Sequence, residues 1–347
     1  METMNQTLTL RAPDDFHLHL RDGAALQTTV PHAANQFARA MVMPNLIEPI
    51  TTTEMARLYQ QRILKNIPQG KHFEPLMTLY LTEETTPDEI EKAKKSGIVF
   101  AAKLYPAGAT TNSKKGVKNI PKIFPILEAM EKQGLPLLIH GEMPSDSVDI
   151  FAREKAFIDA VLFSILKKFP NLKIVLEHIS TRYAVEFVKS APDNLAATIT
   201  AHHLAFNRNA LLSAGLKPHF YCLPILKGEN DRKALVAAAT SGNPKFFLGT
   251  DSAPHAQNKK ENACGAAGCY TAHCALALYA EVFESVGALH QLENFASRFG
   301  AEFYGLPLNH STITLIKKEW QPPLDFDFED SRLVAIPLNQ LQWQLLE

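Results

Sequence analysis

Two histidines, His17 and His19, stand one residue apart in the string DDFHLHLRDG, residues 14–23, and Arg21 follows them. In an extended strand, side chains at i and i+2 share a face, so the two imidazoles project together while Phe16, Leu18 and Leu20 project to the other. That is the geometry two ligands of one metal ion need. Two hydrogen-bonded histidines at a strand end would give the same short pattern. What decides is whether the chain supplies further ligands at equivalent positions.

Those positions are set by the elements. Short β-rich runs alternate with segments of helical period: LTLRAP leading into FHLHL, then ARAMVMPN, EPLMTLYLT, IVFAAKLYP, LPLLIHGE, KIVLEHIS, LAATITAHHL and KFFLGTDSAPH. Helices are predicted in TTEMARLYQQRILKN, TPDEIEKAKKSG, NIPKIFPILEAMEKQG, REKAFIDAVLFSILKKFP, TRYAVEFVKSAP and DRKALVAAATSG, from apolar spacing with Thr or Asp near starts and Gly or Pro near ends. Alternating β and α with nearly continuous apolar strands argues for an α/β fold with a parallel sheet covered on both faces. The repeats match the count of a closed (β/α)8 TIM barrel of roughly 250 residues. Here it would run from about residue 10 to about residue 300. An open doubly wound sheet is the runner-up, but HLHLRDGAA lacks the G-x-G-x-x-G loop such a sheet usually carries. Residues 301–347 read as a small C-terminal extension of extended segments packed on the barrel, so 1–347 is expected to be a single domain.

Barrels of this kind place their chemistry at the C-terminal ends of the strands. The first strand ends in His17 and His19, the second in Asn45, the fourth in Lys103, the fifth in His140, the sixth in His178 and the eighth in Asp251. Four histidines and a carboxylate converging at one end suit zinc, or less specifically iron, cobalt or manganese. Each has an ordinary role when taken alone: a buried histidine bonded to a carbonyl, or an aspartate capping a turn. Lys103 follows GIVFAA, where an ammonium is costly. It either snorkels to solvent, pairs with Asp251, or is carboxylated by carbon dioxide to an anionic carbamate able to bridge two ions. Charge counting favours the last, because Asp251, a carbamate and a hydroxide offset three of the four charges on two divalent ions while neutral imidazoles offset none.

This set of ligands resembles the amidohydrolase superfamily with a two-metal centre. Longer strings resemble the dihydroorotases of the shorter, bacterial monofunctional type: DDFHLHLRDG, MPNL, KLYPAGATTNS, IHGE, LEHIS, CLPILKGENDR and GTDSAPH, spanning most of the chain. The resemblance implies two Zn2+ per subunit, one on His17, His19 and Asp251 and the other on His140 and His178. Lys103, as N6-carboxylysine, and a hydroxide would bridge them. It further implies reversible cyclisation of N-carbamoyl-L-aspartate to L-dihydroorotate in de novo pyrimidine biosynthesis, with Asp251 as general acid and base. Arg21, Asn45 and His255 would grip the substrate carboxylate, His140 and the backbone of Leu223 and Ala267 would contact the substrate, and Thr110 and Thr111 would lie on a mobile lid in PAGATTNS. A hydantoinase or another cyclic-amide hydrolase would share the metal ligands without needing that carboxylate clamp. A metal-binding barrel without activity is the rival of a different class.

Bulk composition sets the remaining bounds. With 347 residues, 46% hydrophobic and 20% charged, the chain reads as a soluble globule with a large core. A net charge of -1 gives no basic footprint for nucleic acid. METMNQTLTLRAPDD has no basic region leading into an apolar stretch, and no apolar run approaches a membrane span, so a cytoplasmic protein is expected. Cys222, Cys264, Cys269 and Cys274 lack C-x-x-C spacing and read as reduced thiols with no assigned role. By family analogy the chain is expected to be a homodimer.

Overall fold

The computed structural model describes residues 6–346; residues 1–5, part of the N-terminal stretch read above, and residue 347 lie outside the described residues. Strand β1 (Thr7–Arg11) is followed by eight strands that pair in parallel, each with the next: β2 (Asp14–Leu18), β3 (Arg39–Val42), β4 (Glu74–Tyr80), β5 (Val99–Leu104), β6 (Leu137–His140), β7 (Ile174–Glu177), β8 (Leu195–Ile199) and β9 (Phe246–Leu248). The sheet closes where the segment after β9 meets β2: Asp251 N donates to His17 O at 2.8 Å and His19 N to Ser252 O at 3.2 Å. The α/β barrel expected from the strand count is therefore present.

Period-two alternation fills the barrel and builds its upper layer. Met41, Leu76, Ala101, Leu138, Val175, Ala196 and Phe247 form one buried apolar cluster. Two residues further along their strands, Lys103, His140, Glu177 and Thr198 are all buried polar groups. The other end is closed by the helix Phe299–Tyr304, whose Tyr304 stacks on Phe16 at 4.9 Å between ring centroids. Gly300 permits this approach, since a Cβ there would lie 2.2 Å from the Phe16 ring.

Three expectations need correction. First, LTLR does not extend the first barrel strand. It pairs antiparallel with β10 (Thr312–Trp320), because Pro13 lacks the N–H a continuing ladder needs. Second, Phe16 does not share a face with Leu18 and Leu20. Asp15 pairs with Ala40 and Leu18 with Val42, so Phe16 and His17 together oppose Met41 as a bulge. The bulge turns Phe16 into the barrel with Met41, while Leu18 and Leu20 join the outer core. Third, LAATITAHHL is a strand only to Ile199; Thr200 then caps the short helix Ala201–Ala205, its Oγ1 accepting from His203 N at 3.0 Å.

The predicted helices are found, and two further helices of eleven residues each appear beside them. Leu26–Gln36 carries Pro31 inside it, which hides it from a propensity reading. Ala275–Ser285 buries eight of its eleven residues and so shows no one-sided period. Beyond β10 come β11 (Asp325–Phe328), β12 (Ser331–Val334) and β13 (Leu341–Leu345). The order β1-β10-β13 makes one antiparallel sheet of both chain ends, and β11 and β12 form a hairpin. No helix among the described residues is long and apolar enough to cross a membrane.

Candidate active site

At the C-terminal mouth of the barrel the ligand atoms of His17, His19 and Asp251 lie within 4.8 Å of one another. His17 Nε2 and His19 Nε2 are 3.2 Å apart. Asp251 Oδ1 stands 3.3 Å from the first and 3.0 Å from the second. The His178 ring is 4.9 Å from that of His17 and 4.8 Å from that of His140, centroid to centroid. Burial pushes His17 down to about 3 and His178 well below the ordinary imidazole range, so both are neutral lone-pair donors at neutral pH. Burial alone would raise Asp251, but the neighbouring His17 and His19 outweigh it and hold the group well below the usual carboxylate range. Neutral imidazoles around a carboxylate, with His178 Nδ1 buried and unpartnered, are a donor set that fits a divalent ion of the zinc class.

Backbone conformation brings these side chains together. Arg21, His178 and Asp251 all adopt left-handed φ, at 60°, 45° and 46°. For residues other than glycine such conformations cost on the order of 1–3 kcal/mol each and cluster at functional sites. Strand parity alone would place Glu177 inward and leave His178 outside. The turn at His178 brings its ring back over the barrel.

With that geometry in view, the comparisons with known proteins are decisive at the level of family: a model of the amidohydrolase family matches residues 15–318. The chain belongs to the amidohydrolase family. Within it, the chain is similar to a dihydroorotase of Teredinibacter turnerae, 59% identical over 343 residues that cover 99% of each chain. It is also similar to the crystal structure of the dihydroorotase of Saccharomyces cerevisiae in complex with 5-fluoroorotic acid, with a TM-score of 0.91 at 35% identity over 98% of both chains. An L-hydantoinase of Arthrobacter aurescens, at 14% identity and a TM-score of 0.79 over 98% of this chain and 83% of that one, shares the fold alone.

In this amidohydrolase a small cavity lies against the histidine cluster and is lined by Arg21, Asn45, Thr110, Thr111, Leu223 and Ala267, among others. Arg21 Nε donates to Pro254 O at 3.0 Å, and Arg21 NH2 lies 3.0 Å from His255 Nε2. Asp22 does not pair with Arg21; it pairs with Arg62 at 2.7 Å. The loop carrying Thr110 and Thr111 is folded down, with Thr111 Oγ1 donating to Ala267 O at 3.2 Å and Asn45 Nδ2 to Thr111 O at 3.1 Å. The space left is about 20 Å³, enough for one water, so the loop must lift to admit any larger molecule.

Lys103 and His255 do not line this cavity. Lys103 is wholly buried and pairs with Glu177 rather than with Asp251 or solvent. Glu177 was not singled out in the sequence, although its parity with Val175 on β7 points it inward. Its Oε1 also lies 3.0 Å from His17 Nδ1, without hydrogen-bond alignment. Glu142, inside the quoted IHGE, holds His140 Nε2 at 2.9 Å. Asp15 accepts from His17 N at 3.1 Å, Thr250 N at 2.8 Å and Thr250 Oγ1 at 2.6 Å, locking β2 to the segment carrying Asp251. Tyr105 lines the cavity with a buried, unpartnered hydroxyl. Its signal was position, two residues beyond Lys103 on one strand end.

Proposed function

We propose that this amidohydrolase is a dihydroorotase, interconverting N-carbamoyl-L-aspartate and L-dihydroorotate plus water in de novo pyrimidine biosynthesis. The observation that carries the reading is Arg21, a guanidinium fixed by Pro254 O and beside His255 in the wall of the cavity that holds the His17, His19 and Asp251 cluster. A cyclic amide bearing a carboxylate needs both features within one molecule's length.

Two zinc ions per subunit suit the donors: His17, His19 and Asp251 would hold one, His140 and His178 the other, and Lys103, as N6-carboxylysine, would add an anionic oxygen donor. Bound there, the ions supply Lewis acidity and an acidified water near neutral pH. Burial pushes the Lys103 ammonium well below its ordinary range, which supports carboxylation. A free amine adds to carbon dioxide and sheds one proton to give the carbamate. Its pairing with Glu177 then breaks, since two anions would face each other.

Arg21, Asn45 and His255 grip the substrate carboxylate. Asp251 takes the proton of the attacking water and delivers it to the departing amide nitrogen, and the reverse path closes the ring. His140 and the backbone of Leu223 and Ala267 meet the substrate, and Thr110 and Thr111 hold it under the closed loop and exclude water. By likeness to the family the enzyme is a cytoplasmic homodimer acting on a small molecule, with no nucleic-acid or membrane partner. The test is the loss of ultraviolet absorbance when zinc-loaded protein meets L-dihydroorotate, beside a chelator-stripped sample. Metal-dependent loss is expected; no loss with zinc bound would move the assignment to another cyclic amide.

A further inference from the structure

Outside the catalytic cluster, His202, Cys222 and Cys269 form a second group whose ligand atoms all lie within 4.8 Å of one another, every one buried. They come from three segments: the short helix after β8, the loop before Leu223, and the loop after Ala267. His202 is the unusual member. Its neighbour His203 has both ring nitrogens in hydrogen-bond range of partners, Thr200 Oγ1 at 2.8 Å and Pro224 O at 2.9 Å. His202 is fully buried, and neither of its ring nitrogens has a partner. Buried polar groups are nearly always satisfied, so an imidazole orphaned at both nitrogens beside two thiols calls for an occupant.

We propose that His202, Cys222 and Cys269 form a second metal site for a thiophilic divalent ion of the zinc class, distinct from the catalytic centre. Two thiolates and one imidazole are a recognised zinc donor set that leaves a fourth position for water or a carbonyl. Binding releases one proton from each thiol to solvent, and the two thiolates then neutralise the ion. The surroundings suit a neutral complex: Phe220, Ile225, Leu226 and Ile336 pack about the thiols. Lys260 anchors the rim, its Nζ donating to Tyr221 O at 2.9 Å and Gly268 O at 2.6 Å, the residues preceding Cys222 and Cys269. The hydrogen bond with Cys269 and burial push the Cys222 thiol well above its ordinary range, an effect the Lys260 charge only partly opposes, so it is the ion's own charge that must draw off the thiol proton. Burial holds His202 neutral, at about 4. An ion here would brace together the two loops that present Leu223 and Ala267 to the cavity. The site itself does not depend on the substrate assignment.

Cobalt separates the two centres, because nitrogen and oxygen ligands give no thiolate-to-metal charge-transfer absorption. Full-length protein produced with cobalt as the supplied divalent metal is expected to show such a band in the near ultraviolet and to lose it when zinc is added. Cys222→Ser and Cys269→Ser should each reduce the band at least tenfold, and Cys222→Ala serves if the serine variant folds poorly. His202→Asn should weaken cobalt retention on dialysis by a similar factor. Cys264→Ser, which alters an exposed thiol outside the cluster, should leave the band intact. Absence of the band in the unaltered chain, its loss in Cys264→Ser alone, or a Cys222–Cys269 disulfide found by mass spectrometry in freshly prepared protein would each overturn the site. All these readouts are independent of turnover.

Discussion

Arg21 is fixed before substrate arrives, by the Pro254 carbonyl and by a left-handed backbone that aims it across the barrel mouth. A bidentate grip on a carboxylate contributes about 3 kcal/mol through two charge-assisted bonds. Arg21→Met should therefore lower kcat/KM for L-dihydroorotate by about a hundredfold or more, chiefly through KM, with bound metal unchanged by elemental analysis. Turnover surviving that change would mean the carboxylate is held elsewhere. Asp15 acts differently: its three accepted hydrogen bonds join the His17 segment to the Asp251 segment. Asp15→Ala removes the acceptor of all three bonds and leaves buried donors without partners, so about 2–3 kcal/mol should be lost in urea unfolding; an unchanged midpoint would show that the lock contributes nothing. His17, His19, His140, His178 and Asp251 were legible in the sequence because their side chains are ligand types at strand ends. Glu177 and Asp15 were not, because a carboxylate in a strand reads as solvated until the inward parity and its closing partner are known.

Elements carry the parts that move. Gly116 lies at the base of the loop bearing Thr110 and Thr111, where a Cβ would meet Tyr105 O at 2.3 Å and Ser113 O at 2.9 Å. Both neighbours are backbone and cannot rotate away, so Gly116→Ala should displace the loop. We expect kcat/KM to fall at least tenfold, because closure positions the reacting groups, with the barrel's circular dichroism preserved; full activity would show that the loop needs no such close approach. Another element, the helix Glu229–Ala239, begins with Glu229 accepting from Asn207 Nδ2 at 2.7 Å and Arg232 NH2 at 2.6 Å. The hydrogen bonds from Arg232 and then Asn207 hold its carboxyl at about 2, below the ordinary 4.5. A depressed carboxyl stabilises the fold above the unfolded value and loses that contribution as pH falls towards about 2. The group is largely exposed and screened, so Glu229→Gln should cost under about 1 kcal/mol at pH 7, a difference that shrinks steadily in unfolding measured down to pH 3. At this scale the sequence showed the elements whose apolar residues are one-sided, and it missed those where another constraint masks the period. Pro31 interrupts Leu26–Gln36, and near-total burial removes polar markers from Ala275–Ser285.

For the molecule as a whole, the two ends of the chain meet in one sheet. β1 ends six residues before His17, and β13 closes the sheet through Trp343, a fully buried indole. Trp343 Nε1 lies 3.1 Å from Glu284 Oε2, and Trp343 N donates to Glu281 Oε1 at 3.1 Å, so the extension is seated on the helix Ala275–Ser285. Removing such a side chain leaves a cavity and strands Glu284 without that donor, costing about 3–5 kcal/mol. In a chain of this length that corresponds to a fall in Tm of about 4–7 °C for Trp343→Ala. If extension and barrel fold as one cooperative unit, the variant will still melt in a single transition, and its kinetic constants well below that transition will match those of the parent. An early separate transition would show the extension unfolding by itself. An unchanged Tm would mean the indole contributes little. The cooperative outcome follows from connectivity: β1 leads directly into the strand that carries His17 and ends just before His19, so loosening the terminal sheet frees the first barrel strand along with it.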